Sequence, residues 1–254
     1  MPKTIGVTNQ KGGIGKTTTA TAMAAILTER GYKTLLIDAD VQCNSTDTYN
    51  AEYEGVPTLY DVILEESNPV SLNEAIQHTE MGDIVASDPL LSEADSKLSQ
   101  KGVKGLKKLQ AAIKELEGYD YVIIDTPPAV NMILRNVLIA SDEIIIPMTA
   151  GRYSFQGIND LAESISDATE LNPNLKVAGV LLVNFSERTN ISKETKEALE
   201  VVAESLNTKL FKSVIRNCVK VVEAQSSRMT LIKYARSCTA ERDYEDFMEE
   251  YLNI

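Results

Sequence analysis

The chain has 254 residues, 43% of them hydrophobic, and a formal net charge of −12, a composition that is ample for a packed core. No N-terminal stretch has the order of a secretory signal and no window approaches eighteen apolar residues, which argues against export and membrane insertion. Three widely spaced cysteines and one histidine in a polar stretch argue against a disulfide scaffold, a zinc site or a histidine-based triad, and favour a reduced, cytoplasmic location.

Short apolar runs, bounded by turn residues and not strictly alternating, predict strands covered on both faces, as in a parallel sheet. They lie at residues 3–8, 34–38, 83–87, 121–125, 143–148, 177–184 and 211–215. Helical periods lie between them, at 17–30, 103–116, 158–171 and 192–206. The alternation predicts one α/β domain over residues 1–254, a doubly wound, mostly parallel sheet with helices on both faces.

A glycine-rich loop joins the first predicted strand to the first predicted helix. It consists of Lys11, Gly12, Gly13, Ile14, Gly15, Lys16, Thr17 and Thr18. Glycines let the backbone fold around an anion, so that successive N–H groups and the helix N-terminus point at the phosphates of a nucleotide. Lys16 adds a mobile cation, and the Thr17 hydroxyl suits Mg²⁺ that bridges the same phosphates. The sequence therefore predicts a P-loop that binds a nucleoside triphosphate with Mg²⁺.

Acidic residues end two of the predicted strands, at the edge of the sheet where ligands of such folds bind. Asp38 and Asp40 end one run, and Asp125 ends another. Asp125 has the pattern of a Walker B aspartate, which holds Mg²⁺ through water because this ion gives up its hydration shell reluctantly. Taken alone, an Asp-x-Asp pair after a strand is more typical of a turn or a helix cap.

The loop departs from the general P-loop pattern, because Gln10 stands where that pattern has its first glycine and Lys11 adds a second lysine. The block from Asn9 to Thr18 resembles the deviant Walker A group, the ParA/MinD family of ATPases, and ParA in particular. The resemblance implies that Lys11 reaches into the nucleotide site of the partner subunit in an ATP-bound homodimer, where it neutralises phosphate charge. The alternative is a solvated lysine near the loop.

The same resemblance implies roles for the two aspartates at 38 and 40. Asp38 helps to order the water shell of Mg²⁺, and Asp40 positions or activates the water that attacks the γ-phosphorus. In-line attack needs a water held opposite the leaving oxygen, which a carboxylate orients or deprotonates. The family commonly has Asp-Pro-Gln-Gly-Asn here, whereas this chain has Val41 and Cys43 in place of Pro and Gly. We therefore expect a less rigid turn, with a thiol that makes the site sensitive to oxidation.

Asn184 ends the predicted strand at 177–184 with an amide, which both donates to and accepts from an adenine edge. The resemblance supports adenine recognition by Asn184. A turn-forming asparagine is the alternative.

The net charge argues against nucleic acid, but its distribution does not. Residues 185–236 carry ten basic and six acidic side chains, an excess of +4, while the rest of the chain carries −16. Strings at 186–190 and 214–224 resemble ParA segments with non-specific DNA-binding arginines, which makes Arg188 and Arg216 candidates, with Lys220 behind them. Such binding to double-stranded DNA is weak per subunit, sequence-tolerant and salt-dependent, and a dimer doubles the patch. A solvated charged face is the alternative.

The resemblance extends from about Lys3 to near the C-terminus. It implies an ATPase with ATP and Mg²⁺ that forms a homodimer, binds DNA non-specifically and is reset by slow hydrolysis that a ParB-like partner stimulates. Its work would be plasmid or chromosome segregation, in the cytoplasm and on the nucleoid when ATP is bound. Because the first predicted strand begins at Lys3, we expect no preceding helix-turn-helix for operator-specific repression. The acidic stretch at 241–254 differs from the basic membrane helix of MinD relatives and would be repelled by an anionic bilayer.

Three alternatives stay open. A ParA-like ATPase that positions a non-DNA cargo would keep every residue named above. A metabolic ligase of the dethiobiotin synthetase type would turn over quickly without DNA or a partner protein. An iron–sulfur reductase like the nitrogenase iron protein would need paired cluster cysteines, and Cys43, Cys218 and Cys238 do not lie in the stretches that would supply them.

Overall fold

A computed structural model describes residues 1–65, 67–150, 157–186 and 192–253, except for the side chains of 192–195. In this part of the chain, eight strands form one sheet. They are β1 (Lys3–Val7), β2 (Thr34–Asp38), β3 (Ile76–Thr79), β4 (Gly82–Val85), β5 (Tyr121–Asp125), β6 (Glu143–Thr149), β7 (Lys176–Phe185) and β8 (Leu210–Arg216).

The order of the strands is β3-β4-β2-β5-β1-β6-β7-β8. All neighbours are parallel except β3 and β4, which form an antiparallel pair at one edge. The chain leaves β1 toward β2 and β5 on one side and reaches β6 to β8 on the other, so the strand order reverses next to β1. In open α/β sheets, ligands bind at the carboxyl ends of the strands at such a reversal. The predicted fold, a doubly wound and mostly parallel sheet, is confirmed.

Helices cover both faces of the sheet. The described helices are α1 (Lys16–Glu29), α2 (Asn44–Thr48), α3 (Leu59–Leu64), α4 (Ala94–Ser99), α5 (Val103–Leu106), α6 (Lys108–Lys114), α7 (Met132–Ala140), α8 (Ile158–Leu171), α9 (Ser192–Ser205), α10 (Val219–Ser226), α11 (Leu231–Tyr234) and α12 (Thr239–Leu252), with a 3₁₀ turn at Pro89–Glu93. None of these helices is long and apolar enough to cross a lipid bilayer.

Alternate residues of the strands face two different cores. In β2, Leu36 packs with α1 and α12, whereas Leu35 and Ile37 pack with α3, α4, α6 and α7. A third cluster lies under α7, α8 and α9, against β6 and β7. All five residues of β2 are buried, as expected of a strand with helices on both sides.

The predicted helix at 103–116 is divided, and a neighbouring side chain causes the break. In a continuous helix the Leu109 N–H would donate to the Gly105 carbonyl. Instead, Leu109 N donates to Asn136 Oδ1 (3.2 Å), and Asn136 Nδ2 donates to Gly105 O (2.8 Å). An amide from α7 therefore replaces one bond of the ladder and separates α5 from α6 at Lys107.

The acidic stretch near the C-terminus is a core helix. In α12, Tyr244, Phe247 and Tyr251 are almost fully buried against α1 and β8. Two of its carboxylates hold β8. Glu250 accepts hydrogen bonds from the Lys212 and Ser213 backbone, at 2.9 and 2.8 Å, and Asp243 accepts one from the Arg216 backbone, at 2.8 Å. The acidic residues thus have structural roles that a charge count does not reveal.

Candidate functional site

The glycine-rich loop wraps around the N-terminus of α1. Gly13 and Gly15 have φ angles of 73° and 89°, in the left-handed region that side chains disfavour, and Gly15 is the residue that precedes the helix. No side chain caps α1, so the N–H groups of its first turn remain available to an anion. The loop therefore has the backbone geometry that was predicted for phosphate binding.

Side chains that precede the glycines fasten the loop to neighbouring elements. Asn9 is 4% exposed; its Nδ2 donates to the Pro147 carbonyl of β6 (2.8 Å), and its Oδ1 accepts from Lys11 N (3.1 Å). Gln10 packs against Gly157, the residue that precedes α8, where an added Cβ would lie 2.6 Å from Gln10 Oε1. The glutamine that replaces the usual first glycine thus joins the loop to α8.

The two lysines of the loop have different surroundings. Lys16 is 6% exposed, and its Nζ donates to the Lys11 carbonyl (3.0 Å). Burial lowers the pKa of Lys16, while the nearby carboxylates of Asp125 and Asp40 raise it. Lys11 is half-buried, and no acidic side chain in the described ranges forms an ion pair with it. Lys16 therefore lies inside the site, and Lys11 lies at its rim.

Asp38 and Asp125 lie side by side, because β2 and β5 are parallel neighbours with these residues in register. Both are fully buried. Asp38 accepts hydrogen bonds from the Asp40 N–H (3.1 Å) and from the backbone and hydroxyl of Thr46 (2.8 Å each). Burial and the adjacent Asp125 raise the pKa of Asp38 to about 7, against the effect of these hydrogen bonds.

Asp125 has one satisfied and one unsatisfied oxygen. Its Oδ2 accepts from Ser45 Oγ (2.9 Å), whereas its buried Oδ1 has no hydrogen-bond partner among the described residues. Burial raises the pKa of Asp125 to about 6, although the Thr17 and Ser45 hydroxyls lower it. A buried carboxylate oxygen without a partner next to a hydroxyl is a suitable oxygen donor for a hard cation.

These residues fit Mg²⁺ that is bound together with a phosphate. No group of three or more His, Cys, Asp or Glu side chains in the described part of the chain is arranged to hold a metal by itself. Mg²⁺ is usually held by one or two carboxylates, waters and substrate phosphates. The predicted ligands, Thr17, Asp38 and Asp125, are brought together at the loop, so the donor set suits that mode of binding.

Asp40 lies close to the loop and is held at both its backbone and its side chain. Its carbonyl accepts from Ser87 Oγ (2.7 Å), and its Oδ1 accepts from the Gln42 N–H (3.1 Å). Burial raises the pKa of Asp40, whereas the Gln42 hydrogen bond and the Lys16 ammonium lower it. The second carboxylate oxygen has no role in these contacts and is free to face a ligand in the cavity that Asp40 lines.

The loop opens into a cavity of about 560 Å³, within the size range of small-molecule sites. Asn184 lies at the far side from Asp40, is exposed and has a φ of 55°. Its Oδ1 accepts a hydrogen bond from Asn217 Nδ2. Both amides line the cavity and are suited to the edge of a base.

Sequence reasoning missed several residues of this site. Thr46 and Ser45 hold the two buried aspartates, Ser87 holds Asp40, and Asn217 faces Asn184. The run Asn44-Ser45-Thr46 directly after the aspartates was a usable signal, because hydroxyls near buried carboxylates are common partners. Ser87 and Asn217 carried no such signal, since only the sheet brings them near.

The residues predicted to bind DNA are placed unequally. Arg188 lies outside the described residues. Arg216 forms a paired contact with Asp243 through Nε and Nη2, with distances of 3.1 and 2.5 Å to Oδ1, and it lines the nucleotide cavity. Lys220 is exposed and forms an ion pair with Glu223 (2.7 Å). The two described candidates are thus each paired with a carboxylate.

Comparison with known proteins identifies the family. The AAA domain family matches residues 2–177. The sporulation initiation inhibitor protein Soj of Bacillus subtilis is 31% identical over 252 residues, which cover 98% of both chains. The chromosome partitioning protein ParA of Caulobacter vibrioides is also 31% identical, over 99% of this chain and 94% of its own. The chain belongs to the ParA/Soj family of partitioning ATPases. The family membership predicted from the residues around the loop is thereby confirmed.

Solved structures similar to this ParA/Soj family member include proteins with other names. Cobyrinic acid a,c-diamide synthase from Mycobacterium smegmatis, with bound ADP and magnesium, has a TM-score of 0.85 and 26% identity over 100% of this chain and 95% of its own. Apo McdA from Cyanothece has a TM-score of 0.85 and 27% identity, over 98% and 99% of the two chains. The same fold thus occurs in a synthase that binds ADP and magnesium.

Proposed function

We propose that this protein is an ATP-dependent, dimerising ATPase that binds DNA non-specifically and drives plasmid or chromosome segregation with a ParB-like partner. The observation that carries the proposal is an anion-binding loop that lines a cavity of nucleotide size together with Lys16 and Asp40, with the buried pair Asp38 and Asp125 next to it. ATP and Mg²⁺, the predicted cofactors, are the ligands of similar solved structures. The similarity to Soj and ParA over nearly the whole chain supports the partition role.

In this proposal each part of the site has one task. The loop N–H groups and Lys16 bind the triphosphate, and Asn184 with Asn217 receives the adenine. Thr17, Asp38 and Asp125 would hold Mg²⁺, which supplies positive charge to the phosphates. Asp40 orients the attacking water and accepts its proton, because its carboxylate is held beside the loop with one oxygen left to face the cavity.

Exposed apolar side chains near the mouth of the cavity favour the formation of a dimer. Val219 and Val222 on α10 are 64% and 61% exposed, and Val130, near Pro128 of the cavity wall, is 41% exposed. Exposed apolar side chains around a ligand site are typical of a surface that another protein covers. A second copy seated there would bring its Lys11 to the phosphates and make dimerisation depend on ATP.

Replacement of Asp40 tests the hydrolytic role. We expect Asp40→Ala to bind ATP with Mg²⁺, to lose about 100-fold or more of its ATPase rate, and to accumulate as an ATP-bound dimer in light scattering. Asp47→Ala is the matched control, because Asp47 is an exposed carboxylate that lines the same cavity and pairs with Arg228. Normal hydrolysis by Asp40→Ala would contradict the assignment.

An ATPase assay with and without DNA and the product of a neighbouring gene tests the partition role. Synergistic stimulation by the two is the expected result. Fast turnover without DNA and without the partner protein would instead favour a metabolic enzyme. The similarity to the cobyrinic acid synthase is the reason to test this alternative. Stimulation by the partner without any effect of DNA would favour a ParA-like positioner of another cargo.

A further inference from the structure

The strongest positive run of the chain lies outside the segment whose charge excess first indicated DNA binding. Between residues 97 and 114 there are no acidic residues. The same stretch contains six lysines, namely Lys97, Lys101, Lys104, Lys107, Lys108 and Lys114. In a protein of net charge −12, this is a local reversal of sign that a polyanion would meet favourably.

The fold displays this run on a rigid support. Leu98, Leu109 and Ile113 are buried against the sheet, while Lys104 and Lys114 are exposed and Lys107 is half-buried. We call Lys104, Lys107 and Lys114 the lysine surface. No acidic side chain in the described ranges forms an ion pair with any of the three.

Two contacts make the lysine surface rigid. An added Cβ at Gly105 would lie 2.1 Å from the Leu98 carbonyl oxygen, so α5 lies directly on the backbone of α4. Asn136 of α7 donates to the Gly105 carbonyl and accepts from Leu109 N, which fastens both α5 and α6 to the domain. Cations on such a support lose less freedom on binding than cations on a loose loop.

The basic residues of the segment at 185–236 are placed differently. Among those that the structure describes, four form ion pairs: Arg216 with Asp243, Lys220 with Glu223, Arg228 with Asp47 and Arg236 with Glu29. Three of these acids come from outside the segment and offset most of its excess of four positive charges. A phosphate backbone would have to compete with those carboxylates for each of these four cations.

We propose that the lysine surface is a contact of this protein with the phosphate backbone of double-stranded DNA. This inference rests on the proposed DNA-binding function and names its surface. Lysine is a hydrated point charge without the planar geometry that reads base edges, so the contact would be independent of sequence. A run of lysines without an intervening carboxylate favours a polyanion as the ligand.

Charge reversal of the lysine surface tests the proposal. The variant Lys104→Glu/Lys107→Glu/Lys114→Glu should lose more than about tenfold in affinity for a random-sequence duplex with ATP and Mg²⁺, and the slope of log affinity against log salt should fall by about 3 per subunit. The matched control is Lys33→Glu/Lys176→Glu/Lys209→Glu, which changes the net charge equally at three exposed lysines elsewhere. ATP affinity and basal ATPase rate should be unchanged in both variants.

The other outcomes are equally decisive. If the reversed variant does not fold by circular dichroism, the neutral variant Lys104→Gln/Lys107→Gln/Lys114→Gln should still reduce the salt slope, while the Lys→Arg version should retain binding. If the matched control loses DNA affinity equally, the effect depends only on net charge, and the assignment of the lysine surface is wrong. Unchanged DNA binding by the charge-reversed variant would contradict the lysine surface but not the proposed DNA-binding function. Failure of the parent protein to bind DNA at all would overturn both the proposed DNA function and this inference.

Discussion

At the scale of single residues, the turn after Asp40 shows what one substitution within a family pattern does. Cys43 stands where the family commonly has glycine, and it adopts φ 54° and ψ 31°. This left-handed conformation costs an L-residue about 1–2 kcal/mol relative to glycine. The expectation of a sensitive thiol is not supported by its surroundings, because burial and Asp38 raise the pKa of Cys43 to about 11, so that little thiolate forms near neutral pH.

Replacement of Cys43 by glycine should therefore stabilise the protein. We expect Cys43→Gly to raise the free energy of unfolding by about 1 kcal/mol, measured by urea denaturation, because the strain that is removed outweighs the loss of one small buried side chain. Cys43→Ala is the control, since it keeps the positive φ and loses only the thiol. A destabilised Cys43→Gly variant would show that the thiol contact with the Val41 carbonyl outweighs the strain.

At the scale of elements, the phosphate loop is held by a helix that follows it by more than a hundred residues. Gly157 precedes α8 with a φ of 83° and lies directly under Gln10. The residue that departs from the usual P-loop pattern therefore connects the loop with α8. Sequence reasoning identified both elements, α8 with its observed bounds, but gave no sign of their contact.

An alanine at position 157 should disturb the loop. Gly157→Ala adds a Cβ that lies 2.6 Å from Gln10 Oε1, so we expect the loss of about tenfold or more in ATP affinity, measured by calorimetry. Gly31→Ala is the matched control, because Gly31 has a similar φ of 87° and open space around it. Both variants should lose about 1 kcal/mol of stability from backbone strain, and only the first should lose nucleotide affinity. Equal affinities would show that Gln10 moves away without moving the loop.

At the scale of the whole molecule, folding redistributes the charges that the sequence lists in order. Asp38 and Asp125 are 87 positions apart in the chain and in register on neighbouring strands. Their burial and mutual repulsion raise the pKa of Asp38 to about 7 and burial raises the pKa of Asp125 to about 6. Ionising the pair in the metal-free protein therefore opposes folding.

The stability of the metal-free protein should thus fall as the pH rises. The folded state binds more protons than the unfolded state between the unfolded pKa near 4 and the folded values of about 6 and about 7, so the stabilisation is complete below pH 4 and is lost through pH 7. The slope should reach about 1.4 kcal/mol per pH unit for one fully titrating group in urea denaturation with a chelator. The variant Asp38→Asn should reduce this slope of stability against pH. A slope of the opposite sign in this window would contradict the raised pKa values.

The sequence by itself determined the alternation of strands and helices, the phosphate loop, the family and the aspartates at the ends of two buried strands. It could do so because the loop and the ends of buried strands depend on local backbone geometry and short-range burial patterns. The edge strand β3, the break between α5 and α6 and the partners Ser87 and Asn217 were not predicted, since each depends on a residue distant in the chain.

The tertiary structure mattered most for deciding which charged side chains are paired. Counting charges along the chain indicated residues 185–236, but the fold brings Asp47, Asp243 and Glu29 to its arginines and leaves Lys104, Lys107 and Lys114 without acidic partners in the described ranges. Coulomb interactions follow distance in space, and distance in space is set by the packing of helices on the sheet. A sequence therefore shows which charges a protein has, and only its folded structure shows which of them remain available to a ligand.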